Sequence, residues 1–368
     1  MRRIPIEYAK EGDVLGKTLY NEMGGMLLKE GSNLNWYMIE KLKSYGYLSI
    51  YIKDKYTEED IEEIIKPEVV NRIYSLQGSL NNVIRGSSNE NKIDSKKVRS
   101  HVKNLNEIIK EVAYDIVSSK NVLENLASIS IYDDYTLTHS LNMMMLSIVI
   151  ARDIGFNMNE IKSLATGCVF HDIGKIFLPI ELINKPGKFT DEEFSLVQSH
   201  TEKGYRFLTD HTDLSAVSRN ISLCHHERED GLGYPRGLKG DEIHIFNKIA
   251  SISDVFDALT SDRPYRRAVP LHDAMEYLLA SGGNHFDIDL IKVFSQSINV
   301  FPKDTFVHLS DNREGIVYEI NSEFHTRPKI KVYGENGKKV APYIINLKEH
   351  NNIVIEKVIH VFSFDKTN

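Results

Sequence analysis

The chain has 368 residues, 41% of them hydrophobic, with a formal net charge of −7 and a sequence pI ≈ 6.1. That length suits two or three domains with a substantial core, and the acidic balance excludes a general DNA- or RNA-polymer-binding surface, which would read basic. No run of about 18 apolar residues occurs, so no membrane span is expected; the start Met1-Arg2-Arg3-Ile4-Pro5 has no apolar leader core, which points to a cytoplasmic protein.

Residues 1–56 carry short β-like runs broken by glycines: Val14-Leu15-Gly16, Gly24 to Leu28, and Tyr47 to Ile52. A helical stretch from Trp36 to Leu42 sits between the last two. This reads as a small α+β module without clustered chemistry, hence regulatory or structural. Residues 57–119 are charged and mostly helical, with apolar residues at three- and four-residue intervals and a polar loop over 84–92. Such a helical linker packs either on the next domain or against a second copy of the chain as a homodimer. Residues 120–300 read as nearly all helix. From 301 to 368 the runs Gly315 to Ile320, Lys329 to Tyr333 and Asn352 to Ile359 alternate with turns such as Glu335-Asn336-Gly337, giving a β-rich appendage. The two cysteines, Cys168 and Cys224, both lie in apolar helical patterns and read as reduced core residues.

The chemistry lies in the helical region. His139 belongs to a helix whose apolar stripe is Leu141, Met144, Met145 and Ile148. His171 and Asp172 close a helix that runs from Ile161. His200 is expected within a helix opened by a Thr190–Glu193 capping box. His225 and His226 follow the helical run Ala216 to Cys224. Asp254 shares a helix with the core positions Ile249, Ile252, Val255 and Phe256, and a carboxylate in such a buried segment needs a partner. Five imidazoles and two carboxylates fill two metal sites if Asp172 bridges. His139, His171, Asp172 and Asp254 are assigned to one ion, and Asp172, His200, His225 and His226 to the other. Nitrogen and oxygen donors without thiolates suit iron, manganese or another first-row divalent ion.

These residues resemble the HD superfamily of metal-dependent phosphohydrolases. The string His225-His226-Glu227-Arg228-Glu229-Asp230-Gly231-Leu232-Gly233-Tyr234-Pro235 resembles the signature of its HD-GYP branch, and Asp254 to Arg266 resembles that branch's second signature. The resemblance spans about residues 120–300. It implies an all-helical catalytic core and hydrolysis of cyclic di-GMP, a bacterial second messenger, to linear pGpG. Family members with a third metal have a glutamate one turn before the first histidine; Tyr135 stands there, and Asp133 and Asp134 are out of phase with His139. A binuclear centre is therefore expected, with onward hydrolysis to GMP left open.

Two close ions lower the pKa of a bridging water and neutralise charge on the attacked phosphate. Lys175, one turn after His171, faces the same cleft and binds the scissile phosphate. Arg263 and Arg266 match family positions that bind substrate phosphate or guanine. Asp257, one turn after Asp254, reads either as an outer partner orienting a ligand imidazole or as a surface acid. Tyr234 offers a ring and a hydroxyl beside His226. The alternatives are a non-catalytic cyclic di-GMP-binding scaffold and a hydrolase acting on another cyclic dinucleotide.

Overall fold

The computed structural model describes residues 1–20, 26–57, 65–86, 93–118, 135–262, 266–321 and 324–365. The N-terminal module is a three-stranded antiparallel sheet in the order β1-β5-β2 (Arg2–Pro5, Ser49–Lys53 and Val14–Leu15), with a small hairpin of β3 (Leu19–Tyr20) and β4 (Met26–Leu28). Helix α1 (Trp36–Ser44) starts where the Asn35 side chain accepts from the Met38 amide, satisfying one of the free N–H groups of the first turn. Ile4, Leu15, Leu34, Ile39, Leu42, Ile50 and Ile52 form this module's own core.

Helices α2 (Pro67–Arg85) and α3 (Ser95–Ser118) follow. The apolar stripe of α3, Val98, Val102, Leu105, Ile109, Val112 and Ile116, is buried in the same core as the helices beyond it. This chain therefore occupies that stripe itself. The polar loop expected over 84–92 falls, from residue 87 on, outside the described residues.

The helical body is built around α4 (Tyr135–Asp153). Every residue from Thr138 to Ala151 is buried, so this helix is enclosed on all sides. Around it pack α3, α5 (Met158–Val169), α9 (Ile245–Thr260) and α11 (Ile288–Ser297), while α8 (Ala216–Cys224) lies against α5, and α7 (His200–His211) against α8 and the turn that follows α5. Helices α6 (Asp191–Gln198) and α10 (Leu271–Ala280) complete the set. Side-chain caps fix several starts: Asn157 with Glu160 at α5, Thr190 with Glu193 at α6, Ser215 at α8 and Asp287 at α11.

Two helix ends differ from the sequence expectation. The helix before His171 ends at Val169, so His171 and Asp172 lie in the turn between α5 and a short 3-10 segment, Ile173–Phe177. His200 is the first residue of α7, not a mid-helix residue, because the helix opened by Thr190 stops at Gln198. Ser199 Oγ, His200 Nδ1 and Thr201 Oγ1 bond the carbonyls of Leu196, Val197 and Gln198, each three residues back, and so replace helical partners at the break.

Residues from Phe306 form an antiparallel sheet in the order β10-β6-β7-β8-β9 (Ile355–Val358, Phe306–Leu309, Arg313–Glu319, Lys329–Glu335 and Lys338–Asn346). The expected turn joins β8 to β9: Asn336 (φ 48°) and Gly337 (φ 74°) both take the left-handed conformation that a tight two-residue hairpin requires. Cys168 and Cys224 are free and buried, and burial pushes their thiols up to about 12 and about 11. No helix among the described residues is long and apolar enough to cross a membrane.

Candidate metal centre

Five structural elements deliver the seven expected side chains to one buried place. His139 projects from α4, His171 and Asp172 from the turn after α5, His200 from the first position of α7, His225 and His226 from the end of α8, and Asp254 from the middle of α9. His139 Nε2 lies 3.0 Å from Asp254 Oδ1, and His171 Nε2 lies 3.1 Å from Asp172 Oδ2. The other oxygen of Asp172 is 3.4 Å from His200 Nε2 and 3.9 Å from His225 Nε2. His226 closes the ring, with Nδ1 3.9 Å from Asp254 Oδ2.

Four of the five imidazoles are aimed by their other nitrogen. His171 Nδ1 bonds Cys168 O at 2.7 Å, His200 Nδ1 bonds Val197 O at 2.7 Å, and His225 Nδ1 bonds Ile221 O at 2.9 Å. A carbonyl oxygen only accepts, so Nδ1 carries the proton in all three, and Nε2 keeps its lone pair for the shared centre. His139 Nδ1 is held at 2.7 Å by Asp257 Oδ2, whose other oxygen accepts from the Asn142 amide at 2.7 Å and the Ser261 hydroxyl at 2.9 Å. Carboxylate and carbonyl partners of this kind set the ring orientation of metal-binding histidines.

The electrostatics favour the same arrangement. Burial lowers His200, pushes His226 down to about 3 and holds His225 well below the usual range, so these rings are neutral at pH 7, the form in which an imidazole can bind a metal. Burial works to raise Asp172 and Asp254, but the neighbouring His171 and Lys175, and for Asp254 chiefly His139, outweigh it and keep both ionised. Burial also disfavours charge on His139, yet Asp254 and Asp257 raise it to about 10. His139 and Asp254 thus share a proton where a divalent ion would take its place. Among the described residues, His171 Nε2 and Asp172 Oδ1 are buried without a hydrogen-bond partner, an arrangement that costs about 1–3 kcal/mol per group unless something meets them. Three groups of donor atoms, each within 4.8 Å of one another, are His139-His171-Asp254, His171-Asp172-His225 and His200-His225-His226. The residues present fit a centre for divalent metal ions.

The remaining expected residues fall as follows. Lys175 Nζ lies 2.6 Å from Asp172 Oδ2, with its side chain about one-third exposed (35%). The Tyr234 ring sits 4.7 Å from the His226 ring, and Phe194 of α6 packs edge-on against Tyr234 at 6.1 Å. Asp257 is the outer partner of His139, not a surface acid. Arg266 is exposed and donates to the carbonyl of Ala258, one turn beyond Asp254. Arg263 lies outside the described residues, as do Asp133 and Asp134. Sequence reasoning missed Asn142 and Glu227. Asn142 is one turn after His139 on a helix buried all round, and that spacing was the available signal. Glu227 is 2% exposed and accepts from the amides of Arg236 and Leu238 at 2.8 and 2.9 Å, folding the Gly231–Pro235 loop back beside His226.

Comparison with known proteins gives the following. The cyclic di-GMP phosphodiesterase PA4108 of Pseudomonas aeruginosa is 33% identical over 234 residues, 64% of this chain and 56% of that protein. A cyclic di-GMP phosphodiesterase of Thermotoga maritima is 37% identical over 175 residues, 47% of this chain and 48% of that protein. The 3′3′-cGAMP-specific phosphodiesterase 3 of Vibrio cholerae is 31% identical over 170 residues, 46% of this chain and 37% of that protein. This chain spans about half the length of the first two relatives. The family model for the HD domain matches residues 111–290, a segment that holds all seven clustered residues. What this chain shares with the HD domain family is that segment.

Proposed function

We propose that this chain is a metal-dependent phosphodiesterase that hydrolyses cyclic di-GMP to linear pGpG. The observation that carries the reading is the convergence of four Nε2 atoms and two carboxylates, each of those four imidazoles fixed through its Nδ1, on one buried centre. The names of the Pseudomonas and Thermotoga relatives support the substrate. The donor groups and the shared Asp172 support two ions, iron or manganese: one held by His139, His171, Asp172 and Asp254, the other by Asp172, His200, His225 and His226.

Bound there, such ions supply Lewis acidity toward a water and a phosphate oxygen. The chain's own groups do the rest. Asp257 fixes the tautomer and tilt of His139. Lys175, poised on Asp172 yet partly exposed, offers an ammonium to a phosphate oxygen as negative charge builds. Tyr234 roofs His226 and excludes water from that side. Arg263 and Arg266 are assigned to the outer phosphate or guanine. In the net reaction a water oxygen bonds phosphorus, the P–O3′ bond breaks, and one water proton ends on the ribose 3′-oxygen, leaving a 5′-phosphorylated linear dinucleotide.

The test is product chromatography on protein loaded anaerobically with Mn²⁺ or Fe²⁺. Wild type releases pGpG, and His171→Ala and Asp172→Ala release none; a fully loaded wild-type protein without turnover refutes the reading. The name of the Vibrio relative makes 3′3′-cGAMP the competitor to include, and faster turnover of that substrate would reassign the natural ligand.

A further inference from the structure

The N-terminal module meets the helical body through chemically specific contacts. Asp262, just past the end of α9, receives Arg3 from β1 at 2.6 Å and Ser49 Oγ from β5 at 2.6 Å on a single oxygen, Oδ2. Its other oxygen accepts the Ala268 amide at 2.8 Å, and the Val269 amide returns to Leu259 O at 2.8 Å, so the stretch just after Arg266 is fastened to the end of α9. A second cross-link pairs Glu7 with Arg267. The residue before Asp262, Ser261, donates to Asp257, which holds His139. An unbroken line of contacts therefore runs from the N-terminal sheet to a residue of the candidate metal centre.

The same strand faces two ways. Strand alternation sends Arg2 and Arg3 of β1 to opposite sides. Arg2 pairs with Asp54 at 2.7 Å, reaches His360 O at 3.0 Å and lies 3.9 Å over the Phe306 ring of the C-terminal sheet, while Arg3 holds Asp262. Burial acts to raise the Asp262 carboxyl, but Arg3, Ser49 and the Ala268 amide outweigh it and keep it below the usual carboxylate range.

We infer that Arg3 and Ser49 are positioning residues for the hydrolytic site, acting through Asp262 to hold residues 266–269 where Arg266 meets substrate. The inference rests on the phosphodiesterase reading above. The N-terminal module is then a working part of substrate binding: a change in its sheet alters affinity for the dinucleotide without touching a metal-centre side chain.

The experiment uses the full chain, wild type against Arg3→Ala, Ser49→Ala and Arg3→Lys, with Lys43→Ala as a control in the module's exposed Glu40–Lys43 pair. Hydrogen exchange is read at the Ala268 and Val269 amides, alongside KM and kcat for cyclic di-GMP with Mn²⁺-loaded protein. Arg3→Ala should speed exchange at both amides by about tenfold, the loss of one charge-assisted hydrogen bond. It should raise KM by a similar factor and leave kcat within about twofold. Ser49→Ala gives a smaller change in the same direction, Arg3→Lys restores most of the loss, and Lys43→Ala changes nothing. Wild-type exchange in Arg3→Ala, or faster exchange with unchanged KM, overturns the inference, and Arg3→Lys decides if Arg3→Ala does not fold. A wild-type protein without turnover refutes the hydrolase reading alone if the exchange difference at Ala268 and Val269 persists, whereas wild-type exchange in Arg3→Ala refutes the positioning role whatever the turnover.

Discussion

Gly174 stands between Asp172 and Lys175, and its backbone lies against the start of α7. A Cβ there would sit 1.9 Å from His200 O, 2.6 Å from Gly204 N and 2.8 Å from His200 C; real contacts of this kind do not fall under 3.0 Å. All three neighbours are backbone atoms, so Gly174→Ala must part the two segments by about 1.1 Å, the difference between 1.9 and 3.0 Å. Asp172 Oδ1 and His200 Nε2 are 3.4 Å apart across that same seam, and a binding constellation tolerates only about 0.5 Å of drift. The expected results are a strain cost of about 1–3 kcal/mol in a well-packed region and a loss of about 10²-fold in kcat/KM from the misplaced ligand. Metal stoichiometry by elemental analysis, urea unfolding and steady-state hydrolysis would measure these together. A Gly174→Ala protein with full metal content and wild-type kcat/KM would refute the argument that this close backbone approach sets the ligand geometry.

Asp257→Asn keeps the shape but removes the charge behind His139 and should lower metal affinity by about 10–100-fold, measured by competition with a chelator; an unchanged affinity would show that the contact orients nothing. Glu227→Ala removes the buried acceptor of two part-buried amides, at about 1–3 kcal/mol in all, and should lower the melting temperature measurably, with Glu227→Gln, which keeps one amide oxygen, intermediate between the two. Asp262 titrates below its unfolded value, so its contribution is complete above about pH 4 and fades as pH falls through the lower folded value; the groups facing it are Arg3, Tyr51, Ser49 and the Ala268 amide. The gap in urea midpoint between wild type and Asp262→Asn should hold from pH 7 to about pH 5 and narrow as pH falls below about 4, and a gap independent of pH would contradict the assignment.

The metal cluster was legible in the sequence because polar, metal-binding side chains interrupt helices whose other positions are apolar, and burial leaves such groups few partners but one another. The hairpin at Asn336-Gly337 was legible for a similarly local reason, the left-handed conformation that both residues adopt. Break points were harder. The helix ending at Gln198 stops through bonds from Ser199, His200 and Thr201 to backbone carbonyls, and these residues are equally at home inside a continuous helix. Contacts between distant segments left no local trace: Arg3 and Asp262 are 259 residues apart, and His139 and Asp257 are 118 apart. Arg266 donates to the carbonyl of Ala258 near the end of α9, a contact that no pattern of residue types announces. The stripe on α3 fixed a helix with one dry face but not its partner, which only the assembled core identifies as this chain itself.

His171, His200 and His225 each draw their orientation from a carbonyl three or four residues earlier in the same stretch of chain. Aim is thus a local property of each segment, and only the spacing between segments depends on the finished fold. An ion held there would meet three rings whose bearings are already set, and homologous segments grafted onto another bundle would carry those bearings with them.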